Sequence, residues 1–313
     1  MNLKKSENPQ EILLQRKNRV SLPSATHLLL ACLLLLGGIL RLIDITDPPL
    51  DFHSTRQLRN ILVARGIYYQ LSPNTDPQTR AQAESFAKSV GDFEPPIIET
   101  LTALGYKLTG GETFAVPRVL NTLFWLLAGL ALFNLARRMT SDYAALISLA
   151  FYLVLPFSVQ ASRSFQPDPL MTSLFVGGLW AIYRWTEEKT WKWAMLSALL
   201  LGLATLVKIV IAFFVAGAAI AAVVPFLSFS LRSIPDRGRR GKGQKFSPPS
   251  GESGDRGVWT QVWAMALIMI LPAFFYYILG GGERSGEYFV SWTLDLLHLL
   301  GSTKFYLQWM TFI

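Results

Sequence analysis

Residues Trp193–Phe229 read WAMLSALLLGLATLVKIVIAFFVAGAAIAAVVPFLSF, with Lys208 the one charged side chain among them. As a single helix this stretch would rise about 55 Å at 1.5 Å per residue, against a hydrocarbon core of about 30 Å. A single crossing would also carry the following segment outside. That segment holds Arg232, Arg237, Arg239, Arg240, Lys242, Lys245 and Arg256, and basic loops stay on the cytoplasmic side. Two spans meeting near Lys208 satisfy both constraints and put the lysine at the external interface.

Further apolar runs cover about Ala25–Ile43, Phe114–Ala136, Tyr143–Val159, Leu170–Trp185 and Val258–Leu279. With 51% hydrophobic residues spread this way, the chain reads as an all-α, polytopic membrane bundle rather than as soluble domains. The net charge of +8 comes from basic residues clustered between the apolar runs, so it encodes topology and excludes nucleic acid as a partner. Cys32 lies inside an apolar run, which rules out a disulfide framework. Leu28–Leu40 lacks a small-x-small cleavage site and reads as a retained anchor, with His27 and Arg41 near enough to its ends to snorkel.

The expected organisation is a basic cytoplasmic tail over 1–24, a transmembrane core over 25–230, and a flexible basic cytoplasmic linker over 231–257. A further transmembrane and external segment follows over 258–313. It stops at Met310-Thr311-Phe312-Ile313 without a polar tail and is expected to be incomplete. The N-terminus is cytoplasmic and the membrane is the plasma (inner) membrane. Counting spans from that end puts residues 44–112, 162–169, the Lys208 turn and the tail after Leu279 on the outer face.

The external loop 44–112 carries structure. Leu58, Ile61 and Leu62 share a helical face with Arg59 and Arg65 alongside, and Gly66 is placed to end that helix. Ser72–Pro77 is turn material. Pro95-Pro96 opens a second helix with Ile97, Leu101 and Leu104 on one stripe. Two amphipathic helices lying in the interface fit this pattern, as do two loop helices packed on protein.

The topology brings Asp51, His53, Arg56, Glu94, Arg163, Asp168 and Lys208 to one side of the membrane. A carboxylate at a membrane surface can act as general base toward an acceptor hydroxyl or amine. Arg and Lys can hold a phosphate, Arg through a planar fork and Lys as a point charge. The combination suits group transfer involving a phosphate-bearing lipid. Each residue also has a plainer role available. Asp51 can cap the following helix, Asp168 can serve a turn between prolines, and His53 can be a packed or solvated residue. Lys208 can anchor at the interface, and Arg56 and Arg163 can pair with loop carboxylates.

Four short pieces carry a family resemblance: Pro49-Leu-Asp51-Phe-His53-Ser-Thr-Arg56-Gln57, Glu94-Pro95-Pro96, Ser162-Arg163-Ser-Phe-Gln-Pro-Asp168-Pro-Leu170, and Gly202-Leu-Ala-Thr-Leu-Val-Lys208. In this order and at these topological positions, the chain resembles the glycosyltransferase family 39 branch of the GT-C superfamily. That branch includes protein O-mannosyltransferases and aminoarabinose transferases. The resemblance implies a helical membrane bundle whose long first external loop forms juxtamembrane helices over a cavity. It implies a polyprenyl-phosphate sugar donor, an extracytoplasmic acceptor and transfer with inversion. Asp51 would match the base and Asp168 the acidic residue of the second loop.

The pattern departs from the family in two places. Phe52 follows Asp51 where the family often shows Asp-Glu or Asp-x-x-Arg, so Asp51 and His53 both stand for the base position, with Asp51 preferred. Glu94 stands where some relatives carry Lys or His, and is placed to orient Arg56 or a metal. The cofactor is left open, a divalent metal being the candidate. The rival function is a transporter or flippase for a lipid-linked or anionic solute, against which no inverted repeat is detectable.

Overall fold

The computed structural model describes residues 25–91, 93–232, 252–279 and 301–310. The basic tail 1–24, the linker residues 233–251 and most of the tail after Leu279 lie outside the described residues. Among the described residues all regular structure is helical, and the chain is an all-α, multi-pass membrane protein. Among the described residues three helices are long and apolar enough to cross a membrane: α1 (Ala25–Leu42), α5 (Ala115–Met139) and the Gly257–Tyr277 part of α11 (Glu252–Phe274) with its five-residue π extension. The helix α11 begins at Glu252, ahead of the span start expected at Val258.

The run expected at Tyr143–Val159 is two helices, α6 (Asp142–Val154) and α7 (Pro156–Arg163), bent by 61°. Proline has no N–H to continue the ladder, so the bend falls at Leu155-Pro156 and strands carbonyls from the end of α6. Arg41 supplies donors there. It is fully buried, and it donates to Leu153 O at 2.9 Å, to its own helix at Gly37 O at 2.7 Å, and to Ser162 Oγ at 2.6 Å. The Ser158 hydroxyl donates to Tyr152 O. The snorkelling expected of Arg41 is therefore corrected. Its guanidinium turns inward because the bend leaves acceptors that only a multidentate donor can satisfy in an apolar setting.

Trp193–Phe229 divides as its length requires. The helix α9 (Trp191–Val207) ends where Lys208 is extended (φ −155°), a 3-10 turn covers Ile209–Ile211, and α10 (Ala212–Arg232) follows. The stretch α8 (Asp168–Glu188) packs on α9, and α9 on α11. Their core holds Trp185, Ala194, Ala198, Leu201, Met265 and Met269, and Trp185 Nε1 donates to Gln261 Oε1 at 2.7 Å. Gly202 permits the approach of α9 to α11: a Cβ there would stand 2.8 Å from Ile268 O.

The first loop builds α2 (Ser54–Gln70), α3 (Pro77–Ser89) and α4 (Ile97–Thr109). Gly66 does not end α2. It lies where α3 crosses, and a Cβ would fall 2.7 Å from Ala87 Cβ, so the residue serves a close approach rather than a stop. Asp76 caps α3 by accepting from Thr79 N at 2.9 Å, with Pro77 at the first helical position.

On α4 the buried side is Ile98, Glu99, Thr102, Ala103 and Tyr106, whereas Leu104 of the expected stripe is exposed. Ala64, Ile98, Tyr106 and Phe165 share one apolar cluster, so the loop helices pack on protein through that side. The opposite side leaves Leu104 and Leu108 uncovered.

Candidate active site

The chain enters α2 through a sharp reversal. His53 takes a left-handed conformation (φ 53°), and its carbonyl accepts from Arg56 N and Gln57 N at the helix start. Phe52 sets its ring edge-on to His53 and to Phe157 of α7, which anchors the reversal on the bundle. This geometry leaves Asp51 and His53 exposed at the mouth of an open cavity of about 630 Å³. Arg56, Arg59 and Phe93 line it with them.

Asp51, His53 and Arg56 thus share one cavity. Glu94 reaches it through an ion pair with Arg56, one of the two roles expected for it. The face of Phe93 receives two guanidinium groups, Arg56 at 4.8 Å and Arg59 at 5.1 Å from its centroid. Arg59 is buried, donates to Gly91 O at 2.6 Å, and pairs with Glu99 Oε1 at 3.3 Å. Burial of Glu99 beneath this layer pushes its carboxyl up to about 7, against the opposing pull of Arg59.

Asp168 opens α8, and its Oδ1 receives Lys208 Nζ at 2.8 Å from the break between α9 and the 3-10 turn. Among the described residues Arg163 has no carboxylate partner; it donates to Asp44 O at 3.1 Å, beside Arg118, which bonds Asp44 O and Ile45 O. Arg118 feels the charges of Asp51, Asp47 and Asp44, so the entrance to the first loop is lined by both signs. Tyr277 donates to Leu206 O at 3.2 Å, just before Lys208. Among the described residues no group of three or more His, Cys, Asp or Glu side chains gathers as metal ligands.

The two loops are stitched by uncharged amides that the sequence reading passed over. Gln57 donates to Asp51 Oδ1 at 2.9 Å and accepts from Phe165 N at 2.9 Å. Asn60 donates to Phe165 O at 2.9 Å, and Asn121 of α5 to Ser164 O at 2.5 Å. All three are fully buried. Gln57 and Asn60 sit at i,i+3 on one face of α2, a spacing visible in the sequence, but amides have no meaning there until the partner loop is known.

Residues 93–234 match the dolichyl-phosphate-mannose-protein mannosyltransferase family. Over these residues the chain is similar to membrane glycosyltransferases of the GT-C, mannosyltransferase type, and three of the four motifs fall inside the match. The matched segment includes Glu94, Arg163, Asp168 and Lys208, and Asp51, His53 and Arg56 precede it. No curated protein and no solved structure matches the chain.

Proposed function

We propose that this glycosyltransferase moves a sugar from a polyprenyl-phosphate donor to an extracytoplasmic acceptor. One observation carries the reading: Asp51, His53 and Arg56 line a single open cavity, and Gln57 hydrogen-bonds Asp51 to the loop that leads into Asp168. The Asp51 carboxylate takes the proton from an acceptor hydroxyl or amine as that atom attacks the anomeric carbon. The new glycosidic bond forms on the face opposite the breaking C–O bond to phosphate, so configuration inverts. The leaving polyprenyl phosphate carries the negative charge away, and Arg56, His53 and Lys208 stabilise it as it develops. Asp168 holds Lys208 until the anionic donor competes for the ammonium. The basic segments between the spans support chemistry on the outer face and a cytoplasmic N-terminus, and we read the membrane as the plasma (inner) membrane.

The test is release of polyprenyl phosphate from a panel of radiolabelled polyprenyl-phosphate sugars, mannose among them, by membranes holding wild-type protein, Asp51→Asn or Asp168→Asn. The wild type consumes a donor and both variants do not, at equal protein levels. Full activity in both variants would sink the assignment. Altered solute uptake in them with every glycan intact would favour transport instead.

A further inference from the structure

Gln57 divides one amide between the two loops of the site. Its Nε2 donates to Asp51 Oδ1 at 2.9 Å and to Phe52 O at 2.8 Å, while its Oε1 accepts from Phe165 N at 2.9 Å. A primary amide brings two donors and an acceptor in one plane, and here all three functions are in use. The residue is fully buried, so no water competes for these bonds. Asp51 itself is exposed at the cavity, on a segment that leaves the membrane and reverses at His53. Charged neighbours surround that segment: Arg56 and His53 beside it, Arg118 of α5, and Arg163 at the end of α7 with Asp44 and Asp47. These set the local charge, whereas the amide sets direction, holding one carboxylate oxygen and leaving the other to a substrate.

We propose that Gln57 is a positioning residue for glycosyl transfer, aiming the Asp51 carboxylate at the acceptor and tying that aim to the loop that carries Asp168. The inference rests on Asp51 being the base.

Two variants of the full chain test it, with Asp51→Asn alongside and the donor panel as substrate. Gln57→Ala removes all three bonds, and kcat falls at least about tenfold while the donor KM stays within about twofold, the signature of an interaction used in the transition state. Gln57→Glu keeps an acceptor for Phe165 N but offers Asp51 a donor only when protonated. Its activity relative to wild type therefore declines as the pH rises and the introduced carboxyl loses the proton it donates.

If Asp51→Asn is inactive while Gln57→Ala keeps its kcat, or while the Gln57→Glu ratio is flat with pH, Gln57 is only a structural tie and the inference is overturned with Asp51 intact as base. Full activity of Asp51→Asn, or a wild type that consumes no donor of the panel, overturns the reading of Asp51 and this inference with it.

Discussion

Asp168 Oδ1 and Lys208 Nζ stand 2.8 Å apart, closing the start of α8 onto the break after α9. Both side chains are partly exposed, 39% and 28%, so water screens the pair and its share of stability is about 0.5–1 kcal/mol. Lys208→Met and Asp168→Asn should therefore lower the melting temperature of the detergent-solubilised protein by only a few degrees, while donor turnover falls about a hundredfold. A double-mutant cycle measures the coupling. Turnover that follows the small stability loss, rather than exceeding it, would reduce the pair to a structural bridge.

Arg41 behaves in the opposite way. Replacing it by Met leaves Leu153 O and Ser162 Oγ without their donor inside the bundle, a cost of about 1–3 kcal/mol for each buried group left unpaired. Arg41→Lys keeps the charge but loses the fork, and should recover only part of the loss. Thermal melting of the two variants, expressed in parallel, orders them as wild type, Lys, Met. A Met variant as stable as wild type would show that the α6–α7 bend does not depend on this side chain.

Gly66 meets Ala87 where α2 and α3 cross, and Gly66→Ala would set two Cβ atoms 2.7 Å apart. The clash costs about 1–3 kcal/mol, offset in part by the roughly 1 kcal/mol that alanine contributes over glycine inside a helix. Ala87→Gly removes the facing methyl, so the double variant should regain stability relative to Gly66→Ala. Limited proteolysis across the Leu71–Asp76 turn reads the separation of the two helices. Equal cleavage of the single and double variants would count against the crossing.

Glu99 gives the first loop a pH dependence. Its folded carboxyl titrates at about 7 against an ordinary 4.5, because burial disfavours the charged form. The folded state therefore holds the proton more tightly than the unfolded chain between those values. Stability is greatest below about pH 4.5 and is lost as the pH rises through about 7, by on the order of 3 kcal/mol. Glu99→Gln should flatten that part of the profile and melt higher than wild type at pH 8. Parallel pH profiles for the two proteins would refute the assignment.

The first loop shows where sequence reading works and where it stops. Asp76-Pro77 is a helix-start signal, yet α3 is alanine-rich and polar and has no apolar stripe to announce it. The helix after Pro95-Pro96 is legible in the sequence, but its apparent stripe is Ile97, Leu101 and Leu104, while the protein buries Ile98, Glu99, Thr102 and Tyr106. A helix with one face on protein and another toward lipid carries two apolar stripes, and periodicity alone does not rank them. Arg41 failed for a related reason: a charge near a helix end snorkels unless a neighbouring helix breaks beside it.

What the sequence determined by itself was the class and the division of the chain. The length of Trp193–Phe229 against a bilayer demanded a break at Lys208, and the basic segments carry the expectation of which loops share a side. Hydrophobic length and charge bias act locally along a chain, so both can be read without coordinates. The tertiary structure alone decided which charges meet. It paired Asp168 with Lys208 and Arg56 with Glu94, turned Arg163 to Asp44 O, and set Gln57 between Asp51 and Phe165. Hydrogen bonds act over about 3 Å between residues a hundred positions apart, and only packing brings those partners within reach.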